Sequence, residues 1–250
     1  MARHSKWHNI QVRKGAVDKK RGKAFTKHAK LIEVAAREGG GDTVTNATLR
    51  TAIENAKMDN VPNANIERAV KKGTGELKDD TVIIEAFLEG YGPSGVAFYV
   101  QVLTDKRNRA VGNVKTILSK NGGAMGEAGS VGWMFDRRGV MMIDTPAGTD
   151  IDTLQLTAID AGAQDVRVED DHIVVFTPDV DLHRIQKKLS DAGHKVSSAE
   201  LTFAPKTEIQ ITELAKAQEI LNLIDLLEED EDVTNVYTNL DIAPEVLEKL

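Results

Sequence analysis

Apolar and polar positions alternate with the period of an α-helix through the first part of the chain. Apolar residues recur at spacings of three and four on one helix face, namely Phe25, Ala29, Ile32 and Ala36. Three glycines after residue 38 end this helix. A second stripe, 49–56, follows Asn46, a residue type that favours helix N-caps. A third follows Pro62 and stops at Gly73, a typical C-cap residue, so residues 1–75 predict a small helical domain.

The pattern changes after residue 75. Two runs rich in β-branched residues, 81–88 and 95–104, are separated by glycine and proline and predict a hairpin. Helical period returns between residues 108 and 120. Strands and helices then alternate in the order βαββαβ, over residues 140–145, 151–161, 163–169, 172–177, 180–192 and 195–203. That order is typical of the ferredoxin-like arrangement.

A strongly amphipathic helix, 213–228, and one strand, 233–238, remain at the end of the chain. Two isolated elements cannot enclose a core, so we expect them to complete the hairpin and helix of residues 81–121. The predicted fold is therefore α+β. A basic three-helix domain precedes two α/β domains, and the second of these is a ferredoxin-like unit inserted into a split middle domain. The predicted boundaries are 1–75, then 76–135 together with 206–250, and 136–205 for the insertion.

Composition excludes several classes of protein. The 250 residues include no cysteine, which removes disulfides, iron–sulfur clusters and thiol catalysis. No apolar run reaches the roughly 18 residues of a membrane span, and the N-terminus lacks the apolar core of a secretory signal. We therefore expect a cytoplasmic protein without a membrane partner.

Charge is distributed very unevenly, although the net charge is −7. Residues 1–75 carry 16 Lys and Arg against 7 Asp and Glu, whereas residues 206–250 carry 3 against 12. Such asymmetry points to a module that binds nucleic acid or another anionic partner at the basic end.

Basic residues form a stripe on the first predicted helix, opposite its apolar face. The stripe contains Lys23, Lys27, Lys30 and Arg37. Other cations flank it and complete the candidate nucleic-acid contacts, together with one aromatic residue able to stack on an unpaired base: Lys6, Trp7, Arg13, Lys14, Lys19, Lys20, Arg21, Lys71 and Lys72. The alternative is a solvated lysine face with a buried Trp7.

A second candidate contact lies where strand 95–104 turns into the next helix, at Arg107, Asn108 and Arg109. Alternatively, these residues have a structural role, in which Asp105 is the N-cap of the helix and the arginines are exposed. His4 and His8 have a metal-ligand spacing but no third ligand nearby, so no metal and no cofactor are expected. Neither a nucleophile elbow nor a catalytic triad is recognisable, which predicts a protein that is not an enzyme.

Seven strings read in order resemble one family, the YebC/PmpR family, to which the mitochondrial translational activator of cytochrome c oxidase is also similar. They are His4-Ser5-Lys6-Trp7; Arg21-Gly22-Lys23; residues 35–42, AAREGGGD; residues 65–75, NIERAVKKGTG; Glu89-Gly90-Tyr91-Gly92-Pro93; Leu103-Thr104-Asp105 with Asn108-Arg109; and Gly129-Ser130-Val131 with Trp133 and Phe135. The resemblance implies three domains, one helical and two α/β.

The same resemblance implies a regulator of gene expression, described in this family as a probable transcriptional regulator that binds DNA. Other members act on the ribosome and help it through proline-rich stretches, so a translation factor that binds ribosomal or transfer RNA is the alternative. A stripe made mostly of lysine suits contact with phosphates better than recognition of bases. A protein adaptor, or an enzyme with a site between the two α/β domains, would be a different class of function. The sequence does not show an oligomeric state.

Overall fold

The computed structural model describes residues 19–77, 81–146, 148–169 and 172–250. Three helices come first: α1 Lys19–Gly39, α2 Ala47–Met58 and α3 Asn63–Gly73. Gly22 lies inside α1. Asn46 is the N-cap of α2, as predicted, because its side chain accepts a hydrogen bond from the Leu49 amide at 3.0 Å.

The remaining elements follow in chain order. They are β1 Ile84–Tyr91, β2 Ala97–Thr104, α4 Arg107–Lys120, β3 Ala124–Met125, β4 Phe135–Asp144, α5 Ile151–Ala161, β5 Asp165–Val168, β6 His172–Pro178, α6 Leu182–Asp191, β7 Val196–Pro205, β8 Ile209–Ile211, α7 Leu214–Glu228, β9 Val233–Thr238, β10 Leu240–Ile242 and α8 Pro244–Leu247. None of the helices in these described ranges is long and apolar enough to cross a membrane.

The three N-terminal helices pack on one another through their apolar stripes. The shared core consists of Ile32, Ala35, Ala36, Leu49, Ala56, Val61, Ile66 and Ala69. Burying one Ile or Leu side chain contributes about 1.5–3 kcal/mol, so this small core accounts for much of what holds the helices together. The predicted C-cap at Gly73 is wrong, because the helix cap is Thr74 and Gly73 is a buried helical residue.

One four-stranded antiparallel sheet has the order β5-β6-β4-β7. The outer strands β5 and β7 flank a central pair in which Met141 lies opposite Val175. Both α5 and α6 contribute to its core, with Leu154 and Ile185 packed on the sheet. This is the ferredoxin-like arrangement that the alternation of elements predicts.

A second four-stranded sheet has the order β3-β1-β2-β9, so a strand near the C-terminus joins strands that precede the ferredoxin-like insertion. Strand β9 pairs antiparallel with β2, and Val236 lies opposite Val100. The expected completion of the hairpin by the last helix and strand is thus found, and the α+β class is confirmed.

Contacts divide the chain into two compact units, the first with residues 1–77 and 137–203 and the second with 78–136 and 204–250. In the first unit, α2 contacts the insertion through polar groups. Thr51 Oγ1 and His183 Nδ1 are 2.8 Å apart, and the Asn55 amide donates to the Ala199 carbonyl at 2.7 Å. The three-domain boundaries stay a prediction.

Candidate nucleic-acid interface

The basic stripe of α1 lies on the side of the helix opposite the buried Ile32. Lys27, Lys30 and Arg37 fall on this side, and each is half-buried. Lys19, Lys20, Arg21 and Lys23 belong to the first turns of the same helix. Lys6, Trp7, Arg13 and Lys14, as well as the histidine pair His4 and His8, lie outside the described residues.

Arg37 is held by an ion pair one helical turn away. Its Nη2 donates to Glu33 Oε1 at 2.7 Å, and Glu33 is buried. A buried carboxylate is costly without a partner, so this pair both neutralises Glu33 and fixes the guanidinium at the end of α1.

Gly73 brings the end of α3 against α1. A Cβ atom at this position would lie 2.4 Å from the Glu33 carbonyl oxygen and 2.6 Å from Ala36 Cβ. Only glycine therefore fits, because any side chain would collide with the backbone of α1. The close approach brings the backbone of the last turn of α3, which includes Lys71 and Lys72, against the backbone of the turn of α1 that carries Arg37.

Arg68 lies on the same side of α3 as Lys71 and Lys72, but it was not among the contacts predicted from the sequence. At 100° per residue, it falls between Lys71 and Lys72 on the side opposite the buried Ile66, and it is exposed. A helical projection of α3 identifies it, since the apolar face there is formed by Ile66, Ala69 and Gly73. We define the cationic surface as Lys27, Lys30, Arg37, Arg68, Lys71 and Lys72.

Asn46 connects the end of α1 to the start of α2. Its buried amide donates at 2.8 Å to the carbonyls of both Ala35 and Gly40, while its carbonyl accepts from Leu49. One side chain thus binds the backbone of the last turns of α1, of the residue after α1 and of the first turn of α2.

We expect Asn46→Asp to destabilise the protein at least as much as Asn46→Ala, by roughly 1–2 kcal/mol. Aspartate is as good an N-cap as asparagine in general, but here the NH₂ group that donates both hydrogen bonds would become one carboxylate oxygen facing two carbonyl oxygens. Urea unfolding of the three proteins at pH 7 measures the difference. An Asn46→Asp variant of normal stability would show that only the cap matters.

His28 joins α1 to the residue that follows α2. His28 Nε2 and Asp59 Oδ2 are 2.6 Å apart, and His28 is buried. The hydrogen bond from His28 lowers the pKa of Asp59, against a smaller opposing effect of burial, and the charges of His28 and Lys27 lower it further.

A carboxyl with a lowered pKa in the folded state stabilises the protein above its unfolded pKa, and this contribution is lost as the pH falls through the folded value. Asp59 is largely exposed, so solvent screening limits the contribution to less than about 1 kcal/mol. We expect Asp59→Asn to lose that stability near pH 6, and the difference from the parent to shrink below pH 3.8. Parallel urea titrations at pH 6 and pH 3 test this; a difference of constant size would contradict it.

The second candidate contact begins α4, in the second unit. Arg109 donates to Asp232 from Nε at 3.0 Å and from Nη2 at 2.8 Å, and also to Asp105 at 3.0 Å. Asp232 is only 2% exposed, and its charge and hydrogen bonds raise the pKa of Arg109. Arg109 therefore fastens α4 to the start of β9. The alternative N-cap role of Asp105 is wrong, since Lys106 occupies that position.

Arg107 and Asn108 are exposed on the first turn of α4. They lie in the second unit, whereas the cationic surface lies in the first. Their role in binding stays a prediction.

Sequence reasoning missed a carboxylate that organises the loop before β4. Glu89 accepts hydrogen bonds from the amides of Gly129, Val131 and Gly132 at 2.7–2.8 Å. Burial raises the pKa of Glu89, but the three backbone donors together outweigh it, so the net shift is downward. The nearby Gly129-Ser130-Val131 string was the available signal, because a glycine such as Gly129, with a φ of +87°, allows a tight turn that directs several amides to one carboxylate.

No group of three metal-ligating side chains occurs within the described parts of the chain. The described residues offer a set of cations on two adjacent helices, and the ion pair with Glu33 holds one of them, Arg37. Such a surface can attract and hold a phosphodiester backbone by electrostatic contact and counterion release.

Comparison with known proteins places the chain in a family. Residues 5–76 match the family model of the TACO1/YebC protein N-terminal domain, and residues 83–240 match that of the TACO1/YebC second and third domain. Among curated relatives, a probable transcriptional regulatory protein of Halothermothrix orenii is 47% identical over 252 residues, covering 100% of this chain and 99% of the relative. Another of that description, from Geotalea uraniireducens, is 48% identical over 250 residues and covers both chains fully.

A solved structure is also similar. The crystal structure of a conserved hypothetical protein from Aquifex aeolicus matches with a TM-score of 0.85 and 38% identity, covering 93% of this chain and 95% of that one. This match supports the α+β fold described above. The chain therefore belongs to the TACO1/YebC family.

Proposed function

We propose that this protein is a non-enzymatic, cytoplasmic regulator of gene expression that binds nucleic acid through the phosphate backbone. The single observation that carries the proposal is the close contact at Gly73, which sets the basic ends of α1 and α3 side by side. The family supports the regulatory part, since full-length relatives are named probable transcriptional regulatory proteins.

The composition of the cationic surface argues for contact with phosphates over recognition of sequence. Four of its six residues are lysines, namely Lys27, Lys30, Lys71 and Lys72. Lysine is a flexible point charge, whereas bidentate contact with a base edge in the major groove is made mainly by arginine, asparagine or glutamine. We therefore expect weak discrimination among DNA sequences.

A ribosome-associated translation factor is the second candidate. It would use the same surface on ribosomal or transfer RNA and relieve stalling at proline-rich stretches, as the family resemblance implies. The lysine-rich surface favours it to the same degree as a role on DNA, because both polymers present phosphates. A protein adaptor would instead use the surface on an acidic protein.

Affinity for nucleic acid should fall steeply with salt. Each phosphate neutralised by the protein contributes a slope of about −0.9 for duplex DNA in a plot of log affinity against log salt concentration, so a surface of this size predicts a slope of several units. Fluorescence anisotropy with random duplex DNA and with structured RNA, between 50 and 300 mM KCl, measures it. A flat salt response would contradict phosphate contact.

The same assay separates the candidates. Purified ribosomes, random duplex DNA and an acidic control protein are compared at one salt concentration. Preferential binding to ribosomes supports the translation factor, preferential binding to DNA supports the transcriptional regulator, and binding only to the acidic protein supports an adaptor.

A further inference from the structure

Two aromatic side chains are exposed together at the loop before β4. Trp133 lies in a short 3₁₀ turn and is 66% exposed, and Tyr91, at the end of β1, is 38% exposed. Both direct their polar atoms to the carbonyl of Ser130, with Trp133 Nε1 donating at 3.1 Å and the Tyr91 hydroxyl at 3.0 Å. The hydrogen bond holds the indole in one orientation, so its exposed face is fixed before any partner arrives.

The loop that carries Trp133 is secured at several points. We call residues 126–134 the aromatic turn. Glu89 binds three of its amides, as described above, and the Glu89 carbonyl accepts from Gly126 at 2.8 Å. The Trp133 carbonyl in turn accepts from Lys206 Nζ at 2.8 Å.

Glycine is required in the turn itself. Gly129 has a φ of +87°, which side chains rarely adopt, and a Cβ at Gly126 would lie 2.4 Å from Ser130 Oγ. A turn built in this way presents an indole to solvent without letting it fold back into the core. Trp and Tyr are the residue types most enriched at the energetic centres of protein interfaces.

The charge of the surrounding unit decides what kind of group the indole receives. Residues 78–136 and 204–250 contain 9 Lys and Arg against 19 Asp and Glu. Glu127 is exposed within the aromatic turn itself. A field of this sign repels a polyphosphate and attracts a cation, and the negative face of an indole also attracts cations.

We propose that the aromatic turn is a docking site for an arginine-bearing segment of a basic protein partner. The guanidinium group stacks on the exposed face of Trp133 while Glu127 contributes attraction at the edge. Arginine is favoured over lysine because its planar group both stacks on an aromatic ring and loses less hydration. The site shares no residue with the cationic surface, and its existence does not depend on the proposed function.

Intrinsic fluorescence reports on this site directly, because the chain contains two tryptophans. In a full-length Trp7→Phe variant, Trp133 is the single indole. Titration with a peptide of alternating glycine and arginine is expected to quench and shift its emission, and the lysine peptide of equal charge to bind several-fold more weakly. Oligouridylate, which offers unpaired bases and phosphates, is the competing probe.

Variants test whether the contact is local. With a fluorescently labelled arginine peptide, Trp133→Ala should weaken binding about 10-fold and Trp133→Phe should restore part of it. Glu127→Gln should weaken binding more than Glu245→Gln, which removes one exposed carboxylate elsewhere in the same unit. Thermal melting confirms that each variant is folded.

Two results would overturn the proposal. One is equal affinity of Trp133→Ala and its parent for the arginine peptide, which would show that binding follows bulk acidity. The other is a fluorescence response to oligouridylate without one to the peptide, which would make the turn a stacking site for bases. Because neither depends on the cationic surface, failure here is distinguishable from failure of nucleic-acid binding.

Discussion

Replacing Lys23, Lys27 and Lys30 together with glutamine should lower affinity for duplex DNA and structured RNA about 100-fold at 0.1 M salt. Three lysines that meet phosphates account for a slope of about −2.7 in the salt dependence of binding, and the slope should decrease by roughly that amount in the variant. Anisotropy titrations of parent and variant over the same salt range give both quantities.

A matched variant separates a local surface from overall charge. Lys115, Lys120 and Lys249 are exposed lysines of the second unit, so their replacement by glutamine changes the net charge by the same three units. We expect this control to bind almost as well as the parent. Equal losses in the two variants, or no loss in either of two folded proteins, would remove the basic stripe of α1 from the binding site.

Extending the substitution to α3 tests the geometry. If the ends of α1 and α3 form one surface, adding Lys71→Gln and Lys72→Gln to the first variant should weaken binding further and reduce the salt slope again. A variant with only Lys71→Gln and Lys72→Gln should also bind nucleic acid more weakly than the parent. Binding unaffected by α3 would restrict the contact to α1 and to the residues before it.

Much of the fold follows from sequence because its helices are strongly amphipathic and its turns carry glycine or proline. The N-cap at Asn46 and the order of elements in the ferredoxin-like sheet are examples. Strand β4 begins at Phe135, five residues before its predicted start. Arg138 and Gly139 pair with β6 there, so backbone hydrogen bonding extends the strand through residues whose side chains give no strand signal.

The shortest elements escaped prediction for a different reason. Strands β8 and β10 pair in parallel over three residues, which is too short a run for period-2 alternation to be visible. Their pairing joins segments about 30 residues apart, between which α7 and β9 lie in the chain.

The sequence predicts which basic residues form the candidate site, but it does not predict which residues those side chains contact. A helical projection places Lys27, Lys30 and Arg37 on one side of α1, yet it does not reveal that Glu33 holds Arg37 or that Asp232 holds Arg109. Both carboxylates are buried by tertiary packing, which a local pattern does not encode. Trp133 was likewise identified only as part of a family motif, because the turn that exposes it is held by the Glu89 carboxylate, about 40 residues away in the chain.

Gly73→Ala should reduce the free energy of unfolding by about 3 kcal/mol, although alanine is the better helix former by about 1 kcal/mol. The added methyl group would meet the Glu33 carbonyl oxygen at 2.4 Å, which is backbone and cannot rotate away, so α3 must shift from α1. Urea unfolding followed by circular dichroism measures the loss.

Gly112→Ala is the matched control, since Gly112 is also helical but exposed, with nothing within 4 Å of an added Cβ. It should gain roughly 0.5–1 kcal/mol from helix propensity alone. If both substitutions stabilise the protein, the close contact between α1 and α3 is not present in solution.

If Gly73→Ala destabilises as expected, the folded fraction of that variant should also bind nucleic acid more weakly than Gly112→Ala, because separating α1 from α3 moves Lys71 and Lys72 away from Arg37. Retained affinity in the destabilised variant would mean that the two helices contact phosphates independently.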